Sequence, residues 1–148
     1  MSSKRTKQTS LLHEGHEGEE HRRLALELRK YAKKHGFLYE FSFKNEMQPD
    51  VLLRDGLNHL FLGDAKDSAN ERPSKTATSN RILGYIETYL ECVESGRVRF
   101  GDVAICTNCF DAANEWRVWL NDVFNQYGLD SADFKIAELA QDTFIIAL

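Results

Sequence analysis

The sequence predicts a mixed α/β (α+β) fold, in which helices lie on the faces of a single mixed sheet. Short apolar runs typical of strands alternate along the chain with amphipathic stretches typical of helices. The predicted order is helix, three strands, helix, strand, helix and two short strands. A meander of three strands followed by a helical crossover to a fourth strand produces a mixed sheet of this kind.

The composition is that of one globular domain without a membrane segment. The chain has 148 residues, of which 42% are hydrophobic and 28% are charged, and this length is sufficient for a core. No apolar run approaches the roughly 20 residues of a membrane span. The basic N-terminus has no apolar segment after it, and three cysteines are an odd number. We therefore expect a cytoplasmic protein with reduced thiols and without a secretory signal.

The first part of the chain predicts a tail followed by a helix. Residues 1–12 are polar and are expected to form a flexible tail, with a single domain over residues 13–148. Apolar side chains then recur at helical spacing between about Glu17 and His35, and Gly36 is a suitable stop.

Three strands are predicted next. The run Phe37–Phe43 alternates aromatic and other residues, which predicts a strand with one apolar face. The segments 49–53 and 60–66 follow. A polar stretch over residues 67–80 predicts a long loop, which is either functional or a disordered connector.

The second half predicts two helices and three strands. A helix capped by Ser79 and stopped by Gly96 precedes a strand over residues 97–107. Asp111 is expected to cap the next helix, whose apolar stripe predicts core packing. This helix ends at Gly128, and two short strands over residues 134–139 and 143–148 close the chain.

The connection between the second and third strands decides whether two acidic residues meet. A tight turn on Asp55-Gly56 would pair Asp50 with Phe61, and Asp64 would then point to the opposite face because side chains alternate along a strand. A wider loop over residues 55–59 pairs Asp50 with Asp64. We predict the wider loop.

With this register, Asp50, Asp64 and Lys66 lie together at the edge of an apolar sheet. Two carboxylates and the main-chain oxygen of Ala65 are the hard oxygen ligands that suit Mg²⁺, which completes its coordination with water and substrate phosphate. A partly buried Lys66 is expected to have a lowered pKa and to orient or deprotonate the attacking water. This chemistry predicts phosphodiester hydrolysis.

The segment Pro49-Asp50, thirteen intervening residues and then Asp64-Ala65-Lys66 resembles the signature of the PD-(D/E)XK nuclease superfamily. The resemblance implies a restriction-endonuclease-like αβββαβ core, which agrees with the predicted order from about Glu14 to Thr107. It also implies a Mg²⁺-dependent DNA endonuclease, with Mn²⁺ as a possible substitute. In that family Asp50 and Asp64 would bind the metal and Lys66 would serve the water.

The resemblance implies further site residues. Members often add a glutamate from the first helix, for which Glu17 and Glu20 are candidates and Glu20 is preferred because it is in line with Leu24. A polar residue on the helix after the lysine often positions substrate, which suggests Arg81 and Tyr85.

Basic residues elsewhere are candidates for contacts with DNA. The net charge of −4 gives no general attraction to nucleic acid, so a local patch would be required. The candidates are in the tail, on the first helix and in the long loop: Lys4, Arg5, Lys7, Arg22, Arg23, Arg72, Lys75 and Arg81. A branched or palindromic substrate would call for a homodimer.

Two other hypotheses remain open. The chain could keep a nuclease-like fold as a binding or assembly module without catalysis. Alternatively, Cys106 and Cys109 form a CxxC pair that could serve a small zinc or thiol site. A zinc site would need Cys92 and a histidine to complete it, and the chain offers five: His13, His16, His21, His35 and His59.

Overall fold

The computed structural model describes residues 9–44, 47–129 and 133–148. Of the predicted tail, residues 1–8 lie outside these ranges, as do its basic residues Lys4, Arg5 and Lys7. Residues 9–12 belong to the first helix rather than to a tail.

Within the described ranges the chain forms three helices and six strands in the predicted order. The elements are α1 (Thr9–Lys34), β1 (Tyr39–Glu40), β2 (Val51–Arg54), β3 (His59–Lys66), α2 (Thr76–Glu94), β4 (Phe100–Thr107), α3 (Phe110–Gln126), β5 (Lys135–Ala140) and β6 (Thr143–Ala147). This confirms the mixed α/β class.

The strands form one mixed sheet in the order β1-β2-β3-β4-β6-β5. β1, β2 and β3 form an antiparallel meander, and β3 pairs with β4 in parallel. β6 then runs antiparallel to both β4 and β5. The parallel pair is joined by α2, which is the helical crossover that the sequence predicts.

Each face of the sheet has its own hydrophobic core. Leu24 and Leu28 of α1 pack against alternate residues of the sheet such as Phe61 and Ala65. On the opposite face, α2 and α3 pack Ile86, Trp116 and their neighbours against Leu62 and other sheet residues. The alternation along β3 therefore places Asp64 and Lys66 on the α2 face and Ala65 on the α1 face.

The predicted strand over residues 37–43 is mostly wrong, because only Tyr39 and Glu40 pair with β2. Phe37 packs in the core below α1, whereas Phe43 packs in the core below α2 and α3. Tyr39 is half exposed. The four aromatic residues do not share a face: the Phe41 amide still donates to the Leu52 carbonyl, but the main chain of Phe43 bonds the Gln48 side chain.

The wide loop between β2 and β3 is confirmed. Arg54 pairs with Leu60, so residues 55–59 lie outside the β2–β3 ladder. Oδ1 of Asp55 accepts hydrogen bonds from the amides of Leu57 and His59, at 2.8 and 2.9 Å. Asn58 adopts a left-handed conformation with a φ of 64°. The side chain of Asp55 therefore closes the loop and fixes the register of the strands.

The helix starts differ from the predicted ones, whereas the stops agree. α2 begins at Thr76, and the Ser79 hydroxyl donates to the carbonyls of Lys75 and Thr76 in the first turn instead of capping the helix. α3 begins one residue before Asp111, with Cys109 as the N-cap. Gly36, Gly96 and Gly128 have positive φ values just after the three helices, as expected of C-terminal stops. Among the described helices none is long and apolar enough to cross a membrane.

Candidate active site

Asp50 and Asp64 meet where β2 begins and β3 ends. The register pairs Val51 with Gly63, so the preceding residue, Asp50, lies opposite Asp64. The amide of Asp50 donates to Oδ1 of Asp64 at 2.9 Å, and the amide of Ala65 donates to Oδ2 of Asp50 at 2.8 Å. Each aspartate is therefore fixed by the main chain of the other strand, as the predicted register requires.

Lys66 completes the predicted trio. Its Nζ lies 2.8 Å from Oδ2 of Asp64. The two residues are only 2% and 3% exposed, respectively. A buried charge is costly without a partner, and this ion pair supplies one for each side chain.

Two further side chains join these three. Nε2 of His21 on α1 lies 2.9 Å from Oδ1 of Asp50, and its Nδ1 lies 3.9 Å from Oε1 of Glu71. Oε2 of Glu71 lies 3.4 Å from Nζ of Lys66. We call the closed circuit Asp50–His21–Glu71–Lys66–Asp64 the charge ring. Acidic and basic groups alternate from Asp50 to Asp64, and the amide of Asp50 closes the ring between the two aspartates by donating to Asp64.

The two aspartates have opposite pKa shifts. Burial raises the pKa of Asp64 to about 7, and the nearby charge of Asp50 adds to this effect against the opposing charge of Lys66. Burial would also raise the pKa of Asp50, but hydrogen bonds from His21, Asp64 and the Ala65 amide lower it to about 2. Two carboxylates at short range cannot both ionise without added positive charge. This pair therefore provides an electrostatic environment that favours a cation.

The basic residues of the ring are held in their charged forms. Hydrogen bonds to Asp50 and Glu71 raise the pKa of His21 to about 10. Burial alone would lower the pKa of Lys66, but the charge of Asp64 and the hydrogen bond to it outweigh burial and raise it. The predicted lowering of the Lys66 pKa is therefore wrong. The sequence does not reveal that Glu71 and Asp64 both face this ammonium.

The donor set at this edge fits a hard divalent cation. The amide of Ala65 points toward Asp50, and the amide and carbonyl of one strand residue point to the same side, so the Ala65 oxygen faces Asp50 as well. Among the described residues, no group of three or more His, Cys, Asp and Glu side chains is arranged to hold a metal. Mg²⁺ takes only one or two protein carboxylates, and Asp50, Asp64 and the Ala65 oxygen are donors of the type that it prefers.

The structure does not bring Glu20 to the two aspartates. Its carboxylate accepts hydrogen bonds from Arg23 at 2.8 Å and from Asn108 at 2.7 Å. Those contacts lower its pKa to about 2. His21, the next residue of α1, contacts Asp50 instead. The expectation for Glu20 is thus corrected: it faces the end of β4, and Arg23 ties it to Thr143 at the start of β6. The side chain of Glu17 lies outside the described part.

The predicted substrate-binding residues are divided between two places. Tyr85 is buried and close enough to Asp64 for the carboxylate charge to raise its pKa together with burial, while a hydrogen bond with Arg81 lowers it. Arg72 instead forms a 2.8 Å ion pair with Glu115 on α3. Lys75 is exposed at the N-cap of α2. Arg81 and Tyr85 are therefore placed beside the charge ring, and Arg72 is committed elsewhere.

Sequence reasoning missed His21 and Glu71 as members of the site. In the sequence His21 is a candidate only for a metal site built from histidines and cysteines, and Glu71 lies in a polar stretch without periodicity. One signal for Glu71 is present in the sequence: a polar loop that directly follows Lys66 must start at the site. That loop is ordered by hydrogen bonds and is not a disordered connector: Asn108 accepts from the Ser68 amide at 2.9 Å, and Arg72 Nε donates to the Ser68 carbonyl.

Cys92 and Cys106 lie on opposite faces of the sheet. Cys106 is fully buried on the α1 face, and burial raises its pKa to about 12. Cys92 is buried on the opposite face, within the core of α2 and α3. Because the sheet separates these two thiols, they cannot share a zinc ion. His35 and His59 have their own contacts, with Tyr31 and Asp55, and the side chains of His13 and His16 are not described.

Comparisons of the chain with protein-family models, curated proteins and solved structures found no match.

Proposed function

We propose that this protein is a metal-dependent phosphodiester hydrolase, a DNA endonuclease that uses Mg²⁺ or Mn²⁺. The observation that carries the proposal is the convergence of Asp50, Asp64 and Lys66 at one edge of the sheet, with hydrogen bonds and an ion pair of 2.8–2.9 Å between them. The resemblance to the PD-(D/E)XK superfamily and its αβββαβ core belongs to this proposal and is supported by the order of elements and the mixed sheet.

Each residue has a role in the proposed reaction. Asp50, Asp64 and the Ala65 oxygen would hold the metal, which supplies Lewis acidity toward the phosphate and a lowered pKa of a bound water. Lys66 would orient the attacking water by donating a hydrogen bond and would offset negative charge on the phosphate, a role that suits the raised pKa of its ammonium. Tyr85 lies near Asp64, and Arg81, its hydrogen-bond partner, would contact the substrate backbone together with it.

A specific observation favours the second candidate, a nuclease-like fold that binds without catalysis. Asp64 and Lys66 are almost fully buried and paired with each other. An ion pair closed in this way could serve stability alone. Metal binding distinguishes the candidates because a silent module requires none.

The test is DNA cleavage by the purified protein and its variants. Substrates should include duplex, single-stranded and branched DNA, and RNA, each with Mg²⁺, Mn²⁺ or chelator. We expect metal-dependent cleavage that Asp64→Asn and Lys66→Met abolish while both variants stay folded. Asp102→Asn is the matched control, since Asp102 lies near the opposite end of the sheet on β4, where it pairs with Phe61. Full activity in Asp64→Asn and Lys66→Met would refute the proposal.

A further inference from the structure

We propose that Glu71 is a positioning residue that holds the Lys66 ammonium in its working orientation. This inference rests on the proposed hydrolase function for its catalytic meaning. The placement of Lys66 itself can be measured without any assay of cleavage.

The surroundings of the Lys66 ammonium fix its position. Lys66 is a flexible side chain with a compact charge and three rotatable donors, so a single carboxylate fixes its position poorly. Here two carboxylates contact it, Asp64 at 2.8 Å and Glu71 at 3.4 Å. They come from different elements, since Asp64 is on β3 and Glu71 is in the loop before α2. Lys66 is therefore held between them, rather than resting on Asp64 alone.

The carboxylate of Glu71 is itself fixed by the loop. Its Oε1 accepts from the Asp67 amide at 3.2 Å, and its own amide donates to the Asp67 carbonyl at 2.8 Å. Asn108 secures the same turn by accepting from the Ser68 amide. A carboxylate pinned at both its backbone and its side chain can orient a neighbour because it does not follow that neighbour's motion.

Two cations would compete for the carboxylate of Asp64. The proposed metal and the Lys66 ammonium both need oxygens of this carboxylate. Glu71 gives the ammonium a second acidic partner at 3.4 Å, and His21 lies between Glu71 and Asp50, in contact with both carboxylates. Without the charge of Glu71, the ammonium has Asp64 as its remaining acidic partner at 2.8 Å. We expect the loss of this charge to displace the Lys66 ammonium and to leave the Asp64 carboxylate less accessible to the metal.

The experiment compares Glu71→Gln with Glu115→Gln. Glu115 is a suitable control because it is also paired with a residue of the same loop, Arg72, yet does not contact Lys66 in the described structure. We expect Glu71→Gln to lower kcat about 100-fold, the size of effect that a misplacement of about 1 Å produces, with KM for DNA almost unchanged. Glu115→Gln should leave kcat unchanged. Glu71→Asp, which keeps the charge on a shorter stem, should recover part of the loss.

A second measurement separates this inference from the proposed function. The ammonium of Lys66 can be followed by ¹H–¹⁵N NMR in ¹⁵N-lysine protein, with its signal assigned by its absence in Lys66→Met. We expect Glu71→Gln to shift or broaden this signal and Glu115→Gln to leave it unchanged. If the signal responds in this way but the wild-type protein cleaves no nucleic acid, the hydrolase proposal fails and the placement of Lys66 by Glu71 stands. If the wild-type protein cleaves DNA while Glu71→Gln keeps the full kcat and an unchanged Lys66 signal, the role of Glu71 is overturned. The hydrolase proposal then stands.

Discussion

The amide of Asp50 donates a 2.9 Å hydrogen bond to the carboxylate of Asp64, which joins the start of β2 to the end of β3. The contact exists because residues 55–59 form a wide loop, so that Asp50 lies opposite Asp64. It places the buried carboxylate of Asp64 next to the partly exposed carboxylate of Asp50, and the pKa values of the two groups are shifted in opposite directions.

Asp64 should make stability fall as pH rises. Its pKa is about 7 in the folded protein against 3.8 as the ordinary value, so the native state binds the proton more tightly. The stabilisation this gives is complete below pH 3.8 and is lost as pH rises through about 7. We expect the free energy of unfolding of wild type minus that of Asp64→Asn to decrease over this interval. Denaturant unfolding at a series of pH values measures it, and a difference that rises with pH would contradict the assignment.

His21 should show the same sign of dependence in a more alkaline interval. Its pKa is raised from 6.5 to about 10 by Asp50 and Glu71, so its stabilisation is complete below pH 6.5 and disappears as pH passes about 10. The stability advantage of wild type over His21→Gln should therefore shrink between these limits. Thermal unfolding at matched ionic strength is the measurement. An advantage that stays constant across the interval would show that His21 is not held as an imidazolium.

Two glycines should respond oppositely to alanine. A Cβ on Gly101 would lie 2.7 Å from the carbonyl oxygen of Leu60, a main-chain atom in the neighbouring strand that cannot move away. Gly101→Ala should cost about 1–3 kcal/mol of stability. A Cβ on Gly84 in α2 meets nothing within 4 Å, so Gly84→Ala should stabilise by about 0.5–1 kcal/mol. Chemical denaturation of both variants checks the pair, and equal effects would contradict the packing of β3 against β4.

The thiols should react unequally. Cys106 and Cys92 are buried, whereas Cys109 is partly accessible at the start of α3. A thiol reagent should label Cys109 rapidly in the native protein and label all three cysteines only after unfolding. Mass spectrometry identifies the labelled sites. If Cys106 and Cys109 were both protected until a zinc chelator was added, the zinc alternative would be supported instead.

The fold was largely predictable, because hydrophobic periodicity and stop signals determine the type and order of elements. The β2–β3 register was also predictable, since a tight turn on Asp55-Gly56 would put the two aspartates on opposite faces, whereas a loop over residues 55–59 pairs them. The strand over residues 37–43 was not. Its aromatic alternation looked like a paired strand, but Phe43 is bonded through both its amide and its carbonyl to the Gln48 side chain instead of to a neighbouring strand.

The site was predictable in part. Helical phase correctly placed the Glu20 region of α1 toward the sheet, but phase does not specify which strand end a residue faces. Glu20 contacts Asn108 after β4, and His21 contacts Asp50 before β2. Glu71 was beyond prediction because its position depends on hydrogen bonds within a loop. For the same reason the predicted direction of the Lys66 pKa shift differs from the observed one. This pKa depends on carboxylates that converge only in the fold.

The central claim is that Asp50 and Asp64 form one divalent-cation site. Calorimetric titration of the wild-type protein with Mn²⁺ and with Mg²⁺ tests it most directly, with Asp50→Asn, Asp64→Asn and the control Asp102→Asn alongside. We predict saturable binding in the wild type and in Asp102→Asn, and its loss in both site variants. Binding that is absent from the wild type, or unchanged in Asp50→Asn and Asp64→Asn, would contradict the account.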